Sequence, residues 1–143
     1  MKLNETEKLY RAIYKNAQMG MGSTATLLSI CQECNLCTEI AEHNKEYREI
    51  LCEAKKVLGN KCTCCCMTEK EKMKTACMIK MKLMMDGSES AVAEMLINGY
   101  NMGIIDTIKA KHSFSTADQG AMTLADRLIN FQCGTIEKMK EYL

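Results

Sequence analysis

Proline and tryptophan are absent from this chain, and its aromatic side chains are five tyrosines and two phenylalanines. Without proline, nothing locks φ or removes a backbone donor in mid-helix, so long helices can run uninterrupted. So few aromatics leave no platform on which nucleic-acid bases could stack. An excess of either charge is also lacking. Nineteen basic residues, counting 19 Lys and Arg, face 18 acidic ones for a formal charge of +1. That balance gives no electrostatic case for nucleic acid or for an anionic membrane surface. No apolar run approaches the roughly 18–20 residues needed to cross a bilayer. The opening residues, Met1-Lys2-Leu3-Asn4-Glu5-Thr6-Glu7, are polar and acidic and contain no apolar core of a secretory signal. They predict a cytosolic protein whose thiols are kept reduced. There is no glycine-rich phosphate loop and no readable Cys–His–Asp constellation, so no enzymatic activity is expected.

What is abundant is methionine, at 13, and cysteine, at 10. Methionine fills irregular gaps between helices, and few segments alternate β-branched residues with the period of a strand. A chain of 143 residues is one domain by length, able to hide roughly 70% of its unfolded surface without covalent staples. The predicted fold is all-α, with five helices: a ferritin-like four-helix bundle and an additional shorter crossing helix.

The first helix is expected to open at Asn4 or Thr6, with Asn4-x-x-Glu7 as a capping box. Tyr10, Ile13, Ala17, Gly20, Thr24, Leu27 and Cys31 then recur at steps of three and four, the spacing of a bundle seam. A turn at Asn35 leads to a second helix ending at Leu58, where Gly59-Asn60 is a good stop. Its expected face is Ile40, Tyr47, Ile50, Leu51, Ala54 and Leu58. Thr68-x-x-Glu71 can cap a shorter third helix ending near Asp86. Its lysines and methionines, interrupted by Glu69, Glu71 and Asp86, read as a solvated cover over the bundle. Ser88 or Ser90 starts the fourth helix, with Val92, Met95, Leu96, Gly99, Met102, Gly103 and Asp106 as its inner stripe. The fifth covers 117–143, with Ala121, Leu124, Leu128, Phe131, Thr135, Met139 and Tyr142 inward. Gly20 and Gly22 on one helix, with Gly99 and Gly103 on another, are expected to mark a close crossing.

The densest chemistry lies in residues 31–66, which hold eight of the ten cysteines. Seven of these form two clusters, Cys31-x-x-Cys34-x-x-Cys37 and Cys62-x-Cys64-Cys65-Cys66. Thiolates select Zn²⁺, Cu(I) and iron–sulfur clusters, because soft sulfur donors match soft or borderline ions. Cys31, Cys34 and Cys37 have the three-cysteine spacing of a bacterial ferredoxin run but lack its Cys-Pro completion. Three thiolates there, with a fourth ligand from elsewhere, would suit an iron–sulfur cluster or Zn²⁺. Cys62, Cys64, Cys65 and Cys66 crowd four thiols into five residues, which Cu(I) tolerates better than tetrahedral Zn²⁺. A helix of about twenty residues separates the clusters by roughly 30 Å, so two sites are expected rather than one. Cys52, Cys77 and Cys133 fall inside helices, where most are expected to be inert core thiols.

Two stretches carry a resemblance. Ile13-Tyr14-Lys15-Asn16-Ala17-Gln18-Met19-Gly20 and 93–106, which reads Ala-Glu-Met-Leu-Ile-Asn-Gly-Tyr-Asn-Met-Gly-Ile-Ile-Asp, resemble small clostridial-type bacterial proteins with ferritin-like helical bundles. The resemblance implies a helical bundle and no assigned activity. This chain differs from that family in its thiols, and in carrying Gln18 where the family usually has Glu.

A ferritin-like di-iron site requires Glu-x-x-His on two helices. Here Ile40 precedes His43 by three residues and Lys109 precedes His112, so the ligand pairs of a di-iron oxidase are not expected. Glu39 and His43 share a helix face and would make half a metal site, although isolated pairs of that kind are ordinarily surface contacts. The expected function is binding of a soft metal ion or iron–sulfur cluster through clustered thiolates, for storage, buffering or sensing. Iron–sulfur, copper(I) and zinc remain the candidate cofactors. The alternative is a structural or interaction module, open to forming a homodimer, whose cysteines stay free.

Overall fold

The computed structural model describes residues 3–30, 35–60, 79 and 87–143. Among them lie four α-helices: α1 (Glu5–Ile30), α2 (Asn35–Leu58), α3 (Glu89–Ser113) and α4 (Gln119–Met139), with a closing 3-10 turn at Lys140–Tyr142. The all-α class agrees with the sequence. The expected five-helix, ferritin-like arrangement with a shorter crossing helix is corrected to these four. The segment given to the shorter helix, 68–86, lies outside the described residues except for Ile79, which is buried with the core. Each of these four carries an apolar stripe buried in one core, and burial of such a stripe, more than a cap, makes a helix a bundle element.

Each helix end has a local cause. At α1, the Glu7 amide donates to Asn4 Oδ1 at 2.8 Å, and the Asn4 side-chain amide donates to Glu7 Oε1 at 3.2 Å. This is the expected Asn4–Glu7 reciprocity, made through the Asn side chain rather than its backbone amide. Gly59 takes φ +55 after α2, the left-handed position that glycine fills without Cβ strain. Ser88 caps α3 by accepting from the Ala91 amide, and Asp118 caps α4 by accepting from the Ala121 amide. The last helix therefore starts two residues later than its apolar pattern suggested, and its final turn tightens into the 3-10 form.

The seams of α1, α2 and α4 lie close to those read from the sequence. Ile13, Ala17, Thr24 and Leu27 are buried on α1, with Ile40, Tyr47, Ile50, Ala54 and Leu58 on α2. Ala121, Leu124, Leu128, Thr135 and Met139 are buried on α4. On α3 the phase is corrected. Val92, Ala93, Leu96, Tyr100, Gly103, Thr107 and Ala110 face inward, while Met102 is 66% exposed and Gly99 and Asp106 lie on the surface. Apolar residues surround this helix, so its pattern has no single preferred face.

The connectivity follows from cross-chain contacts. Glu5 Oε2 accepts from the Thr116 amide at 2.7 Å and from its hydroxyl, and the Asp118 amide donates to Thr6 at 2.9 Å. The start of α1 thus sits beside the α3–α4 connection, so α1 runs antiparallel to α3 and parallel to α4. Asn44 of α2 bonds Met21 and Thr24 while Tyr47 packs on Gly20, so α2 runs back along α1 and the four helices run up, down, down, up. These hydrogen bonds also hold the Glu5 carboxyl below its ordinary range.

Two glycines set how closely the elements approach. A methyl group at Gly20 would lie 2.4 to 2.6 Å from three carbons of the Tyr47 ring, and one at Gly103 would lie 2.5 Å from Gln132 Nε2 and 2.9 Å from Asn16 Oδ1. Gly103 does mark where α3 meets α1, as expected. Gly20 instead admits a side chain of α2, and Gly22 and Gly99 face open space. Tyr47 is fixed by its neighbours and cannot withdraw. Gly20→Ala should therefore destabilise the fold by roughly 1–3 kcal/mol through overpacking. Gly22→Ala should stabilise it by about 0.5–1 kcal/mol by removing a mid-helix glycine. Urea unfolding midpoints of the two variants should move in opposite directions.

Candidate functional site

Most of the thiols that the sequence singles out, Cys31, Cys34, Cys62, Cys64, Cys65 and Cys66, lie outside the described residues, as does Cys77. Cys37 is described. It occupies the first turn of α2, between the buried Leu36 and Ile40, and is partly exposed. Its sulfur is disulfide-bonded. Cys52 and Cys133 are free and exposed, which corrects their expected place as inert core thiols. Cys52 follows the seam residue Ile50 by two and Cys133 follows Gln132 by one, and both offsets turn a helical side chain away from the seam.

Among the described residues, no group of three or more His, Cys, Asp and Glu side chains is arranged to hold a metal ion. Glu39 and His43 are not a surface pair. His43 is 5% exposed, with Nδ1 at 2.8 Å from the Tyr100 hydroxyl and the ring edge-on to Tyr100 and Phe131. Glu39 has one carboxylate oxygen buried without a hydrogen-bond partner. Asn98, Asn101 and Asp106 are exposed, so they take no part in an interior network.

The interior polar network is built from other residues. Gln132 donates from Nε2 to the Tyr47 hydroxyl at 2.9 Å and to Asn16 Oδ1 at 3.2 Å. Asn16 Nδ2 donates in turn to the Gly103 carbonyl at 2.9 Å and to Thr107 Oγ1 at 2.8 Å. A second link joins Asn44 Nδ2 to the Met21 carbonyl and to Thr24 Oγ1, both at 3.0 Å. His43, Asn44, Tyr100 and Gln132 were not read as interior from the sequence. Their spacing carried the signal. Leu36, Ile40, His43, Tyr47, Ile50 and Ala54 follow steps of four and three without a break, as do Ala121, Ala125, Leu128, Gln132 and Thr135.

Burial pushes His43 down to about 4, with the charge of Lys138 adding to the effect. Burial likewise raises the Tyr47 and Tyr100 hydroxyls, so both remain neutral donors and acceptors. This centre holds neutral groups in place. It offers neither a base poised near neutral pH nor a thiolate.

Comparison with protein-family models, curated proteins and solved structures finds no match for this chain. The resemblance to clostridial-type bundles therefore rests on the residues quoted for it.

The His43 environment has a consequence for stability. The unfolded chain takes up a proton near pH 6.5, the folded one only near 4. Between those values the unfolded state binds more protons, so folding stability falls as pH drops through this window and levels off below it. The loss should reach roughly 3 kcal/mol. Urea unfolding from pH 7.5 to 4 should show this decline, and His43→Leu should flatten it.

Proposed function

We propose that this chain binds a soft metal ion or an iron–sulfur cluster through clustered thiolates, in storage, buffering or sensing. Cys31, Cys34 and Cys37 form one site, and Cys62, Cys64, Cys65 and Cys66 another. The observation that carries the reading is the partly exposed Cys37 in the first turn of α2, at the end of the Cys31-x-x-Cys34-x-x-Cys37 spacing. When reduced, Cys37 sits where the unpaired amides of a helix start favour an anion. Thiolates at that spacing would begin a tetrahedral zinc, cuprous or iron–sulfur coordination sphere.

A second reading, an interaction module, is favoured by the outer face of α3. Met102, Ile105 and Ile108 are 66%, 51% and 39% exposed there, and apolar side chains recurring at three-residue steps among polar ones suit a helix-to-helix contact such as a homodimer.

Elemental analysis and visible absorption of protein purified without oxygen separate the two. One or more equivalents of zinc, copper or iron are expected, with brown colour if a cluster is bound. Serine substitution of Cys31, Cys34 and Cys37 as one set, and of Cys62, Cys64, Cys65 and Cys66 as another, should each lower the metal content. Unchanged metal content in both sets overturns the first reading. Metal-free protein sedimenting as a dimer supports the second.

A further inference from the structure

We propose that the centre of the bundle binds one internal water, held between the side-chain oxygen of Gln132 and the hydroxyl of Tyr47. The site is independent of the thiols and does not rest on the metal-binding reading.

Gln132 is 1% exposed, and its Oε1 is buried without a hydrogen-bond partner. Turning the amide over does not relieve that atom. The Gly103 carbonyl can only accept, so Asn16 must present Nδ2 to it, at 2.9 Å. Thr107 Oγ1 already donates to the same carbonyl, and so it accepts from Asn16 as well. Asn16 Oδ1, another acceptor, is thereby turned toward Gln132, which must answer with Nε2 at 3.2 Å. Every step of the network points the same way, and Gln132 Oε1 stands at its end in need of a donor.

Tyr47 has the opposite deficit. It is also 1% exposed, and its hydroxyl oxygen accepts from Gln132 Nε2 at 2.9 Å. Its own proton meets no acceptor among the described residues, and burial raises the hydroxyl so that the proton stays on it. A buried donor and a buried acceptor are therefore both unspent on two residues already in contact. One amide group and one 2.9 Å hydrogen bond separate them. One water, making two O–H···O bonds of about 2.8 Å, can cross that span.

The chemistry of the pair selects the ligand. It must donate to Oε1 and accept from Tyr47. A metal cation cannot accept a hydrogen bond, and an unprotonated anion cannot donate one. Asn16, Tyr47 and Gln132 also carry no charge to offset a buried ion. A neutral molecule with both capacities and the size of one oxygen atom is water, and buried waters ordinarily bridge such leftover groups.

The test is a crystal structure of the full chain at a resolution that shows ordered solvent, with oxygen-17 relaxation dispersion of the same protein in solution. An isolated solvent peak within hydrogen-bond distance of both Gln132 Oε1 and the Tyr47 oxygen is expected, together with a long-lived internal water in the dispersion. Tyr47→Phe and Gln132→Met, which keep most of the bulk of each side chain, should each lose one such water from the dispersion amplitude. Should either variant fail to fold, the map of the unaltered protein decides alone. Three results overturn the proposal: no solvent peak between these two atoms, a side chain from elsewhere in the chain donating to Oε1, or an unchanged dispersion amplitude in both folded variants.

Discussion

Gln132 is the residue through which all four helices are tied together. From α4 its amide reaches Tyr47 on α2 and Asn16 on α1, and Asn16 carries the connection to the Gly103 carbonyl and Thr107 on α3. Apolar packing is non-directional, so leucine and isoleucine stripes alone would tolerate helices sliding or rotating past one another. A buried amide does not tolerate this, because a lost partner leaves a desolvated polar atom at a cost of roughly 1–3 kcal/mol. The network therefore fixes the register of the bundle. Gly103 is small because the network occupies the space a methyl group would take. Gln132 Oε1 remains buried without a partner, so the centre is satisfied on its donor side more fully than on its acceptor side.

Around this amide sits the aromatic cluster. Tyr47 meets Phe131 edge-on at 5.0 Å and lies tilted to Tyr100 at 5.9 Å, with His43 completing the group. A chain with so few aromatics has placed four of its rings, counting His43, at one level of one core. The same burial keeps His43 uncharged, because a charged imidazole would be desolvated beside rings that offer little compensation. Outside the core, Arg127 bridges α4 to Glu46 and Glu49 of α2 at 3.0 and 3.1 Å. Exposed pairs like these contribute little on their own. The interior sets the arrangement, and the surface follows it.

Helix type and most helix ends were legible in the sequence, since Asn4, Ser88 and Gly59 act through local geometry that needs no tertiary context. The seams of α1, α2 and α4 were legible because each has one dominant apolar stripe. On α3, Ile97, Met102, Ile104, Ile105 and Ile108 surround the helix, and only the partner helices decide that Tyr100 turns inward and Met102 outward. The polar centre was hidden for a related reason. His43, Asn44 and Gln132 stand in phase with apolar neighbours, but hydrophobic periodicity counts a polar residue in the seam as a gap. It becomes a core residue only when another helix supplies its hydrogen-bond partner. The thiols were legible as a concentration of soft donors, whereas the bonded state of Cys37 depends on which sulfurs meet in three dimensions.

The described thiols stand apart from the core. Among the described residues the core cluster is made of leucine, isoleucine, valine, alanine, tyrosine and methionine, and no cysteine belongs to it. Cys52 and Cys133 lie on outer faces, and Cys37 occupies the first turn of a helix whose stripe begins at Leu36 and continues at Ile40. Chains that depend on cysteine for stability are ordinarily too small to bury an adequate core. Here four long helices and a hydrogen-bonded centre already provide one. Serine is close in size to cysteine, and at a partly exposed position such as Cys37 it leaves no apolar cavity behind. A change in metal content after Cys37→Ser therefore reports on the sulfur chemistry and not on collapse of the bundle.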